Sequence, residues 1–67
     1  MNEEHILRYT DLAAIIQMVR ARGWSTMRIV RTMSSGLTYA DALKLARKAA
    51  PLVDITVVEF MRLRKKE

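Results

Sequence analysis

The sequence predicts a small all-α domain, a bundle of three to four short helices that includes a helix-turn-helix-like pair. Three observations lead there. Apolar residues recur at helical spacing, helix start and stop signals bracket each run, and a 67-residue chain that is 51% hydrophobic holds only two Gly and one Pro. A chain of this length has room for one core, so residues 1–67 are read as a single domain, with an N-terminal arm over 1–9 and a basic tail over 62–67.

The first helix is placed at 11–22. Thr10 is its expected N-cap, and Asp11 sits at the positive end of the macrodipole. Leu12, Ile15, Ile16 and Val19 form one apolar stripe, Arg20 and Arg22 lie in the last turn, and Gly23 supplies the C′ position. Ser25 then caps a second helix, with Trp24 and Ile29 spaced as a hydrophobic staple. Ile29, Val30 and Met33 point inward, while Arg28, Arg31 and Thr32 point outward. This helix ends near Ser34, and Ser34 to Leu37 reads as a turn in which Gly36 takes a positive φ. Thr38 opens the third helix, with Asp41 at the capping-box position. Ala40, Leu43, Ala46 and Ala50 form a narrow inner face, Lys44, Arg47 and Lys48 project outward, and Pro51 ends the helix.

The segment from Leu52 to Lys66 carries conflicting signals. At helical spacing its apolar residues scatter round the whole wheel. The β-branched run Ile55-Thr56-Val57-Val58 suits a strand with one face at Ile55, Val57, Glu59, Met61 and Leu63, but the only partner for such a strand is the stretch around Ile6 to Tyr9. A helix capped by Asp54 is the preferred reading, and a terminal strand the alternative. So much apolar surface at the end of a small chain points to a homodimer or a protein partner, with Ile55, Val58, Phe60 and Met61 as the contact.

Charge narrows the functional classes. The chain has 12 Lys and Arg against 7 Asp and Glu. Residues 1–19 sum to −2 and residues 20–67 to +7, so the positive charge belongs to the later helices. Such a balance suits a polyanionic partner, because Lys and Arg that neutralise phosphates release counterions. The longest apolar stretch falls far short of a membrane span, and Met1-Asn2-Glu3-Glu4 is acidic where a secretory signal is basic. The expected compartment is therefore the cytoplasm, of a cell or of the host of a phage or plasmid. Catalysis is not expected. There is no Cys, His5 is a lone terminal histidine, the carboxylates are dispersed, and Gly23 and Gly36 are isolated, so neither a metal nor any other cofactor is called for.

From Met27 to Leu45 the chain resembles the helix-turn-helix of DNA-binding proteins, although Ser34 stands where the turn usually carries Gly and Val30 where Ala is usual. In that family the helix after the turn enters the major groove. The resemblance places Ser35, Thr38, Tyr39 and Asp41 near bases and Arg28, Arg31, Lys44 and Lys48 near phosphates of double-stranded DNA, with Arg47 on the same basic surface. The run Met27 to Leu43 also looks like the helical hairpin of the ribosomal stalk protein's C-terminal domain. Extended to Phe60-Met61-Arg62, it looks like the ubiquitin-associated-type module of elongation factor Ts. Both of these imply a protein-binding module. The expected function is a small basic nucleic-acid-binding protein that acts by occupancy, as a transcriptional regulator or accessory factor. The competing expectation is an interaction or inhibitor module docking on a host protein through the segment after Pro51.

Overall fold

Capping decides where each helix begins. The computed structural model describes residues 11–64, and the expectations that fall on the 1–9 arm, His5, the Ile6–Tyr9 strand partner, Thr10 and residues 65–67 lie outside them. Helix α1 spans Leu12–Ala21, and its N-cap is Asp11, whose carboxylate accepts the Ala13 N–H at 3.0 Å. That corrects the cap expected at Thr10, since Asp11 has the charged acceptor and occupies the half-in position. Ile15, Ile16 and Val19 are buried. At the far end the Gly23 N–H donates to Arg20 O at 2.9 Å and the Trp24 N–H to Val19 O at 3.1 Å. This is a Schellman closure, and it requires the left-handed φ of +92° that Gly23 adopts.

Helix α2 spans Thr26–Ser34 and is capped by Ser25, whose hydroxyl accepts the Arg28 N–H at 3.1 Å. Ile29, Val30 and Met33 are buried as expected, and Trp24 packs against the same core. Ser34 is buried too, and its hydroxyl donates back to Val30 O at 2.7 Å, so burial leaves it satisfied. The Leu37 N–H then donates to Ser34 O at 3.1 Å. With Ser35 at φ −58°, ψ 127° and Gly36 at φ +78°, residues 34–37 make a type II turn, whose third position favours Gly.

Helix α3 spans Tyr39–Ala49, with Thr38 Oγ1 accepting the Asp41 N–H at 3.2 Å. Its inner face is Ala42, Ala46 and Ala49, each fully enclosed. This corrects the face expected through Ala40 and Leu43. Ala40 is exposed and Leu43 half-buried, because the helix turns its smallest side chains toward its neighbours. Pro51 does not end the winding outright. A 3-10 turn over Ala50–Val53 follows, with Pro51 at its start, where a missing N–H leaves no bond unmade.

Asp54 is not the cap of the last helix. It closes the 3-10 turn in a left-handed conformation, φ +62°, with its N–H on Pro51 O at 3.3 Å and the Ile55 N–H on Ala50 O at 3.1 Å. This is the closure seen at Gly23 with an Asp in the left-handed slot. Thr56 is the true cap of α4, Val57–Arg64, accepting the Glu59 N–H at 3.0 Å. The terminal segment is therefore helical, and no strand occurs among the described residues. Its apolar residues scatter round the wheel because two elements with unrelated phases lie in one run and because Val58 stands exposed on the far side of α4. Within α4 alone Val57, Phe60, Met61 and Arg64 make a single helical stripe. Replacing the exposed Asp54 by Gly removes the left-handed penalty and is expected to stabilise the protein by about 0.5–1 kcal/mol. A higher urea midpoint checks this, and an unchanged or lower one counts against the strained slot.

Helix α4 packs against both α2 and α3, and α1 lies on the 3-10 turn. Phe60, Ile29 and Val30 are the largest fully buried side chains, in a core shared with Ile15, Ile16, Val19, Met33 and Val53. Two arginines fasten α4 to the rest. Arg31 Nε donates to Leu63 O at 3.0 Å, and Arg64 Nη2 donates to Leu37 O at 2.9 Å. Bonds from a charged donor are worth about 1.5–3 kcal/mol each, more than most in a domain this small. The apolar surplus after Pro51 is thus largely absorbed by one chain. Phe60, expected at a partner contact, is enclosed in this chain's own core, and Ile55 and Met61 are half-buried against it.

Candidate nucleic-acid interface

On α3, the alanine face fixes what points outward. With Ala42, Ala46 and Ala49 against the core, Lys44, Arg47 and Lys48 fall at i, i+3 and i+4 on the opposite, exposed face. None of the three makes an ion pair among the described residues, so their charge faces solvent. Arg47 and Lys48 also lie in the last turn, where they complement the negative end of the helix dipole. Lys44 lies a turn earlier and has less of that role. Asp41, exposed in the first turn, is the one acidic group on this helix.

The expected arginines of α2 are placed differently. Arg28 is exposed but stacks its guanidinium over the Trp24 ring, 4.0 Å from the centroid. Arg31 was expected outside, yet it is half-buried and reaches the carboxy-terminal end of α4. The reason is that α4 packs across α2 and leaves carbonyls of its last turn within reach of a long donor. Both side chains serve the fold as well as carrying charge. On the other helices, Arg20 donates to Thr26 Oγ1 at 2.7 Å, and Arg62 pairs with Glu59 at 3.5 Å on the surface.

Of the residues expected near bases, Ser35 is exposed in the type II turn, and Thr38 lies at the start of α3 with its oxygen already accepting the Asp41 N–H. Tyr39 is 64% exposed. The structure brings Tyr39 beside Val58, Met61, Arg62 and Arg64 of α4, around an open concavity of about 250 Å³. Sequence reasoning did not find this grouping. Arg62 and Arg64 were read as the start of a tail, whereas both belong to α4 and Arg64 is anchored on Leu37. A contact across more than twenty positions carries no local spacing signal, and the only hint was Arg64 falling in register with Val57, Phe60 and Met61.

No group of three or more His, Cys, Asp or Glu able to hold a metal occurs among the described residues, and none of their helices is long and apolar enough to cross a membrane. No protein-family model, curated protein or solved structure matches this chain.

Proposed function

We propose that this protein binds nucleic acid by charge, with double-stranded DNA the favoured partner, and acts by occupying its site as a regulator or accessory factor in the cytoplasm rather than by catalysis. The observation that carries the reading is the outer face of α3, where Lys44, Arg47 and Lys48 stand exposed, without ion pairs among the described residues, opposite the buried Ala42, Ala46 and Ala49. Cationic side chains at that spacing on a rigid helix meet a phosphate backbone without reorganisation of the fold. Two helices in succession across a tight turn, α2 and α3, stand in the order that the helix-turn-helix reading requires, which supports α3 as the helix offered to the groove. Ser35 in the turn and Thr38, Tyr39 and Asp41 at the start of α3 include no Arg, Asn or Gln, so sequence readout through bidentate base contacts is weak and phosphate contacts dominate.

Fluorescence anisotropy on a labelled duplex across a salt series tests the reading. Three phosphates neutralised by Lys44, Arg47 and Lys48 imply a log–log slope of about −2.7 and roughly 40-fold weaker binding from about 50 to 200 mM salt. Absent binding, or binding indifferent to salt, sinks the idea.

A second reading, docking on a protein or on a second copy of the chain, is favoured by one observation. Val58 is 65% exposed and Leu52 42% exposed on the segment after Pro51. Val58→Ser with Leu52→Ser tests it, since both side chains are exposed and leave the core intact, and a wild-type mass of one chain in light scattering removes the homodimer.

A further inference from the structure

The concavity between the start of α3 and the end of α4 has the composition of a seat for one unpaired nucleotide. Tyr39 is a large aromatic left 64% exposed at its edge. Val58 and Met61 supply apolar surface, and Arg62 and Arg64 supply two guanidinium groups. Among the described residues Arg62 is held by a surface ion pair to Glu59 at 3.5 Å, with its side chain 73% exposed, a partner it can exchange for a phosphate. Arg64 is half-buried and donates from Nη2 to Leu37 O, which fixes its guanidinium beside the concavity, and its buried Nε takes no part. The space, about 250 Å³, is below the usual size of a drug-like pocket and suits a single planar ring with part of its backbone.

Resting on the reading that the chain binds nucleic acid, we propose that this concavity takes an unstacked nucleobase against the Tyr39 ring, with the flanking phosphates on Arg62 and Arg64. The chemistry is that of single-strand binding surfaces, in which an aromatic face accepts any base and cations follow the backbone. Charge complementarity selects this occupant. An apolar peptide would leave two guanidinium groups at the rim unused, and a duplex with every base stacked offers Tyr39 no ring face. The α3 outer face and this seat then have separate tasks. Lys44, Arg47 and Lys48 hold backbone of either form, and the Tyr39 seat prefers an unpaired end, bulge or single strand.

The test compares a short oligothymidylate with a blunt-ended duplex annealed from two strands, each titrated against wild type, Tyr39→Phe and Tyr39→Ala at one low salt concentration. Tyr39→Ala is expected to weaken oligothymidylate binding about tenfold or more, and by a clearly larger factor than it weakens duplex binding, and Tyr39→Phe to retain both. Tyr39 is exposed, and unchanged circular dichroism of each variant secures the comparison. Methyl chemical shifts supply an independent readout, because the oligothymidylate should move Val58 and Met61 in the wild type. Duplex binding that persists while Tyr39→Ala leaves oligothymidylate affinity and those methyl shifts unchanged overturns the seat and spares the wider reading. Failure of both oligonucleotides to bind overturns both. Methyl shifts that follow protein concentration without any oligonucleotide also overturn it, in favour of self-association.

Discussion

Phe60→Ala is expected to remove about half or more of the protein's stability and to lower its urea midpoint accordingly. The ring is fully enclosed, and it belongs to the same core as α1, α2 and α3 residues. Truncating a buried Phe to Ala costs about 3–5 kcal/mol through lost transfer energy and the cavity left behind. A domain of this size is stabilised by only about 3–10 kcal/mol in total, at roughly 0.05–0.15 kcal/mol per residue. The cost therefore takes half or more of a typical margin, and no disulfide stands in reserve, since the chain has no Cys. Phe60→Leu keeps most of the volume and should cost less than about 1.5 kcal/mol. Val58→Ala, at a site 65% exposed, should stay within about 0.5 kcal/mol. Urea denaturation followed by circular dichroism separates the three. A folded Phe60→Ala protein with a midpoint near wild type contradicts the placement of this ring at the centre of the core.

Replacing Lys44, Arg47 and Lys48 together by Gln is expected to abolish most nucleic-acid affinity while leaving the protein folded. If the three cations account for the counterion release, the salt slope moves from about −2.7 toward zero, and binding at about 50 mM salt falls on the order of 10³-fold. The effect on stability is small because all three side chains are exposed, and losing Arg47 and Lys48 from the last turn costs about 0.3–1 kcal/mol each at the helix dipole. A melting temperature within several degrees of wild type, with a collapsed slope in anisotropy, is the expected pair of results. Lost affinity with lost helicity points to a folding defect, and retained affinity with the original slope puts the phosphate contacts elsewhere.

The two effects differ in how far they could be read from the chain. The first three helices were legible because each had its signals in sequence order: a polar cap, a periodic stripe, and Gly23, Gly36 or Pro51 near the boundary. The α3 cations were legible for the same reason, since Lys44, Arg47 and Lys48 share a face wherever the helix exists. The segment after Pro51 was only half legible. Pro51 reads as a stop, but a 3-10 turn tolerates it at the start, and Asp54 reads as a cap although its backbone is left-handed. Once the cap is moved to Thr56, the stripe through Phe60 becomes regular. The inner face of α3 was misread by following Leu43, because the close approach of neighbouring helices selects alanine and no single-helix pattern reveals a neighbour. The links from Arg31 to Leu63 and from Arg64 to Leu37 are tertiary and left no local trace.

Nucleic acid is expected to meet this protein on the outer face of α3. Amide chemical-shift mapping with a duplex titrated into labelled protein at low salt addresses it most directly. Shifts are expected to concentrate on residues 40–48, strongest around Lys44, Arg47 and Lys48, and to reverse on addition of salt. Shifts confined to Leu52, Ile55 and Val58, or none with duplex in excess, would contradict it.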